Sequence, residues 1–139
     1  MSKHRLLLED EYEFVAYGMS CHLKDYRVAW LMNKSIRMHF SRGQLDLQGK
    51  GGLVETFSRF VSTDEDSRLK YVLLSNQNED VYLLKDWKQF DFFLLVEGYI
   101  DIFDAEGFMS NVQSIEGIQY IAELDKDIFS KIQYDLFEE

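Results

Sequence analysis

The sequence predicts an α+β domain built on one mixed, mostly antiparallel sheet with two or three helices. Three observations carry this expectation. Runs of β-branched and aromatic residues recur, separated by short turn-forming stretches such as Asp64-Glu65-Asp66-Ser67 and Asn76-Gln77-Asn78. Two segments, Leu23 to Ile36 and Asp104 to Ile115, have helical character. A length of 139 residues suits a single domain spanning 1–139, large enough to bury a core and too short for two.

Taken in order, Phe14 to Cys21 (FVAYGMSC) is an apolar strand. Leu23 to Ile36 follows as a helix with no glycine, Asp25 in its first turn, Lys34 in its last and Ser20 as the expected N-cap. Its spacing places Leu23, Tyr26, Ala29, Trp30 and Ile36 on one side and Val28 and Met32 on the other, so it is apolar nearly all round. Trp30 is expected to pack inward. Arg37 to Leu47 alternates with period two and predicts a strand pair, or one strand bent around Arg42-Gly43. Gln48 to Gly52 is a loop. Leu53 to Ser62, Leu69 to Ser75, Val81 to Leu84 and Phe90 to Glu97 are strands whose short spacing makes them antiparallel neighbours. Asp104 to Ile115 is a second helix, Ile118 to Leu124 a strand, and Asp125 to Tyr134 a closing helix or turn.

The first and last thirds both run strand, helix, strand, and right-handed crossovers put both helices on one sheet face. This gives the arrangement a ferredoxin-like flavour. Phe90 to Leu124 also has the apolar rhythm of the last half of small regulatory folds such as ACT domains. From Phe90 to Val96 the strand is apolar on both faces, with Phe93 and Leu95 on one and Phe90, Phe92, Leu94 and Val96 on the other. Both faces must be covered. Two helices cover one, so the other needs a loop, a partner or a second subunit, and a closed two-fold homodimer is the expected solution.

Composition narrows the function. At 46% hydrophobic and 15% aromatic residues the chain is globular, and its lack of proline removes PxxP ligands and stiff linkers. A single cysteine and the lack of a signal-peptide pattern favour a cytoplasmic location. No apolar run reaches the roughly 20 residues needed to span a bilayer, so no membrane association is expected. The 15 basic and 25 acidic residues give a net charge of −10, which argues against general nucleic-acid binding.

That charge is unevenly spread. Residues 1–70 hold 11 basic and 10 acidic residues, whereas residues 71–139 hold 4 and 15. Lys24 to Arg59 is locally basic, and Lys24, Arg27, Arg37, His39 and Arg42 are the candidate ligand-binding residues for an anion. In a homodimer the same basic stretch would meet the acidic half of the mate.

Catalytic constellations are weak. Cys21 and His22 are adjacent, but neighbours along a strand point to opposite faces, and a buried thiol is the simpler reading. His4, His22 and His39 lack zinc spacing. Of the acidic clusters Glu9-Asp10-Glu11, Asp64-Glu65-Asp66 and Asp101-Asp104-Glu106, the last has a glycine at 107, yet a calcium loop in that register would put Gln113 where an acid is required. Gly49-Lys50-Gly51-Gly52 lacks phosphate-loop order. No catalytic residue, metal or cofactor is expected. The reading is a non-catalytic protein-interaction domain with an unknown protein partner. A small-molecule or anion-sensing module is the alternative, and an enzyme the third.

The stretch Tyr82 to Gly98 (YLLKDWKQFDFFLLVEG) resembles the signature of the IPExxxVDY family of uncharacterised small bacterial proteins. Leu84 stands at the Ile position, Lys85 at Pro, Asp86 at Glu, Phe90 at Val, Asp91 at Asp and Phe92 at Tyr, with Asp91 the identical residue. Asp25-Tyr26-Arg27-Val28-Ala29, then Leu31 and Asn33-Lys34, is similar to the D-Y-R-L-A helix of that family, and the acidic lead-in fits as well. The resemblance implies a small cytoplasmic protein and no established activity.

Overall fold

The computed structural model describes residues 13–48, 52–132 and 136–137. The acidic lead-in Glu9-Asp10-Glu11, His4, the loop residues Gly49-Lys50-Gly51 and Tyr134 lie outside the described residues.

Strand β1 (Glu13–Cys21) leads to helix α1 (Asp25–Ile36), then β2 (Ser41–Gln48), β3 (Val54–Asp64), β4 (Leu69–Ser75), a small hairpin β5 (Gln77–Asn78) and β6 (Val81–Tyr82), β7 (Phe92–Gly98), helix α2 (Ala105–Gln113) and β8 (Ile118–Leu124). The main sheet has six strands in the order β2-β3-β4-β7-β1-β8, and every pairing within it is antiparallel. Among the described residues the architecture is α+β, with α1 and α2 packed against the sheet. The expected predominance of antiparallel pairing holds, and no parallel pair accompanies it among the described strands, so the sheet is not mixed.

Local chemistry explains where the elements begin and end. α1 starts after Lys24, an extended residue that gives no side-chain cap, and the predicted cap Ser20 sits inside β1, where its hydroxyl donates to the Gln89 carbonyl at 2.8 Å. The helix stops at Arg37, which takes left-handed backbone angles (φ 58) and donates its N–H to the Met32 carbonyl. Asn33 then fixes the exit, its amide donating to the Phe40 carbonyl at 3.1 Å and accepting the Phe40 N–H at 2.7 Å. Residues 37–40 are consumed in that turn, so β2 begins at Ser41 and pairs without interruption from Ser41 against Val61 to Gln48 against Val54. The predicted bend at Arg42-Gly43 is absent. α2 is capped by Asp104, whose carboxylate accepts the Gly107 N–H at 3.0 Å. The closing segment forms a 3-10 turn over Lys126–Phe129 rather than an α-helix.

Alternation along the strands divides the core in two. Tyr17, Met19, Phe60, Leu73, Phe92, Leu94 and Val96 point to the helix side, where Val28, Ala29 and Met32 of α1 and Phe108 and Val112 of α2 cover them. Ala16, Phe57, Val72, Leu74, Phe93 and Leu95 point to the opposite side. Of the three covers the sequence allows for that second face, a second subunit, the expected one, is not what seals it. Instead, Leu83, Leu84, Trp87 and Phe90 from the segment before β7, with Phe129, Ile132 and Leu136 after β8, cover it from the same chain.

Phe90 precedes β7 and does not share the face of Phe92. Its ring lies 6.4 Å from that of Phe93, against the backbone of Gly18, where an added Cβ would come within 2.6 Å of the ring. Glycine at 18 is thus required by packing.

Candidate interaction surface and adjoining clefts

The periodicity of α1 carries the main surprise. Its buried residues are Val28, Ala29 and Met32, a stripe about 100° away from the one expected. Trp30 is 50% exposed and Tyr26 is 61% exposed, four residues apart and therefore neighbours on the outer face of the helix. The Arg27 guanidinium lies 5.6 Å and the Lys34 ammonium 4.9 Å from the centre of the indole, so two cations flank one tryptophan. Lys24 and Arg37 are exposed at the two ends of the same helix. The inward expectation for Trp30 is corrected. Flanking cations with apolar stems let the indole remain at the surface.

The candidate anion-binding residues are dispersed around this helix. Arg37 and His39 line a cleft of about 450 Å³ with Ser62, Thr63, Asp64, Glu65, Asp66 and Tyr71, so the Arg37 guanidinium faces carboxylates there. Arg42 lines a separate cleft of about 240 Å³ with Gln44, Thr56, Ser58 and Asn78. Lys24 lines a third, of about 470 Å³, beside Cys21, His22, Asp25, Ser58 and Asp91. Arg27 lies against Trp30.

Arg42 is already engaged. Its guanidinium is 3.6 Å from the Asp25 carboxylate, which also accepts a hydrogen bond from the Ser58 hydroxyl, and it lies 5.4 Å from the centre of the Phe60 ring. Asp25 thereby ties the first turn of α1 to β2 and β3.

Cys21 and His22 do not assemble a nucleophile. The thiol is 2% exposed and burial pushes its pKa up, away from thiolate character, while His22 is exposed. The Asp91 carboxylate accepts the backbone N–H of Cys21 at 2.8 Å rather than orienting a catalytic base. Among the described residues no group of three or more His, Cys, Asp or Glu side chains is placed to hold a metal ion. No described helix is long and apolar enough to cross a membrane.

The signature-like segment has a structural place. Leu84, Trp87 and Phe90 pack on the second face of the sheet, with Trp87 stacked 6.5 Å from Phe90. Asp86 lies in the 3-10 turn Lys85–Trp87. Asp91 joins three strand ends: its N–H donates to the Met19 carbonyl at 2.8 Å and its own carbonyl accepts the Asn76 N–H at 2.9 Å. Asn76 anchors the segment. Its side-chain amide donates to the carbonyls of Trp87 (3.0 Å) and Phe90 (2.9 Å), and its side-chain oxygen accepts the Leu84 N–H at 2.8 Å. The sequence marks Asn76 only as a turn residue, and its one available signal is an asparagine directly after an apolar strand.

No protein-family model matches the chain. No curated protein matches it either.

Proposed function

We propose that this protein is a non-catalytic interaction domain whose contact surface is the outer face of α1. The observation that carries the reading is the exposed Tyr26-Trp30 pair flanked by Arg27 and Lys34. Trp, Tyr and Arg are the residues on which binding energy concentrates at protein interfaces. An exposed indole contributes little to folding, so its placement here is better explained by a partner than by stability.

The same reading takes the strand order β8-β1-β7-β4, with α1 and α2 on one side, as ferredoxin-like, extended at one edge by the hairpin β2-β3. Membership of the IPExxxVDY family is supported by Asp91 and by the Asp25 to Ala29 stretch. Self-association into a homodimer and a cytoplasmic location belong to the proposal, the latter supported by a single buried cysteine. The anion-sensing alternative is less favoured, since Arg42 is paired with Asp25 and Arg37 and His39 face Asp64, Glu65 and Asp66.

Affinity capture from cell extract tests the reading, using the tagged wild-type chain beside the Tyr26→Ala, Trp30→Ala double variant. A protein retained by the former and lost by the latter, at equal thermal stability, supports the contact surface. Identical captures overturn it.

A further inference from the structure

We infer that the partner of the α1 face is the acidic turn of a second copy of this chain, in a closed two-fold pair. The inference rests on the interaction reading above and names its occupant. Two exposed patches of opposite charge each carry an apolar anchor. The first is α1, where Lys24, Arg27, Lys34 and Arg37 are exposed around Tyr26 and Trp30 and the helix's one acidic residue, Asp25, is held by Ser58 and Arg42. The second is the segment entering α2, where Ile102 is 66% exposed between exposed Asp101, Asp104 and Glu106. From Gln89 to Asp125 the sequence contains no Lys, Arg or His, so nothing within that stretch neutralises the second patch.

Placement makes the two patches usable together. Ile100 and Phe103 pack into the core on the helix side of the sheet, the side that α1 covers. Both patches therefore belong to the helix-bearing side. Two copies facing each other across that side can set the basic face of each against the acidic turn of its mate, and residue i then meets j while j meets i, as a two-fold axis requires. Ile102 supplies an apolar side chain to the Trp30 surface, and Asp101 and Glu106 supply carboxylates to Arg27 and Lys34. A chain of net charge −10 repels extended polyanions, whereas a mate that presents one acidic turn to one basic helix keeps the opposite charges adjacent.

Sedimentation equilibrium on three chains tests the inference. The wild type should give a mass near twice 16.5 kDa at about 100 μM, falling toward 16.5 kDa as salt rises to about 1 M. Arg27→Glu, Lys34→Glu places two carboxylates beside Trp30, where they would meet the carboxylates Asp101 and Glu106 of the mate, and Asp101→Lys, Glu106→Lys sets two ammonium groups against Arg27 and Lys34. Each variant alone should weaken self-association by roughly thirty-fold or more. Their equimolar mixture should recover the dimer, because each reversed patch then meets its complement, and this recovery also shows that both variants are folded. A monomeric wild type, variants that dimerise as the wild type does, a mixture that stays monomeric, or open-ended polymers would each overturn the inference. A monomeric wild type that still captures another protein through Trp30 would end the second-copy inference while leaving the interaction reading intact.

Discussion

The side-chain amide of Asn76 donates to the carbonyl of Phe90 at 2.9 Å from a position with no solvent exposure. Phe90 then fills the space over Gly18, so one buried asparagine holds the aromatic segment that seals the second face of the sheet. Asn76→Ala would leave the Leu84 N–H and the Trp87 and Phe90 carbonyls without that partner. We expect a loss of about 2–4 kcal/mol, measured by denaturant unfolding with an unchanged m-value. A loss under about 1 kcal/mol would mean that the Asn76 side chain is not what holds the segment.

Tyr17 presents the opposite case. Its hydroxyl is buried without a hydrogen-bond partner among the described residues, and burial, with Glu123 adding to it, pushes its pKa up to about 12. Tyr17→Phe removes an unpartnered polar atom and keeps the ring contact with Phe108, whose centroid is 5.7 Å away. Stability should rise by about 1 kcal/mol. A clear fall in melting temperature would show that the hydroxyl is satisfied.

Glu97 gives a pH dependence with a defined sign. Burial raises its carboxyl pKa above the ordinary glutamate value of 4.5, and Lys70, its cross-strand partner, opposes the shift. A folded-state pKa raised above the unfolded one favours folding at low pH, and that contribution is lost as pH rises through the folded value. The melting temperature of Glu97→Gln minus that of the wild type should therefore increase from about pH 4 to pH 7. A flat or falling difference would contradict the burial of this carboxylate.

Trp30→Ala should change stability by under about 1 kcal/mol, because the indole is half exposed. Thermal unfolding checks this, and a loss of 3–5 kcal/mol, the range for a core tryptophan, would return Trp30 to the interior.

Strand positions were the most legible feature of the sequence. β4 at Leu69–Ser75 and β8 at Ile118–Leu124 have the limits that their β-branched and aromatic runs predict. The need to cover both faces of β7 was equally readable from Phe92 to Val96, all of them buried. What covers the second face was not. Leu84, Trp87 and Phe90 reach it through hydrogen bonds to a side chain, Asn76, that has no periodic signal. The facing of α1 was misread because Tyr26 and Trp30 count as apolar in any periodicity, although an indole between Arg27 and Lys34 sits comfortably at a surface. The candidate basic residues were local in sequence, but the turn at Arg37 and the start of β2 at Ser41 send them to different clefts.

Hydroxyl-radical footprinting of Tyr26 and Trp30 tests the interaction surface most directly, comparing dilute purified protein with the same chain returned to cell extract. The account predicts that both side chains label readily in dilute solution and lose labelling in extract, while the exposed Tyr120 on β8 labels equally in both. Unchanged labelling of Trp30 in extract would contradict it.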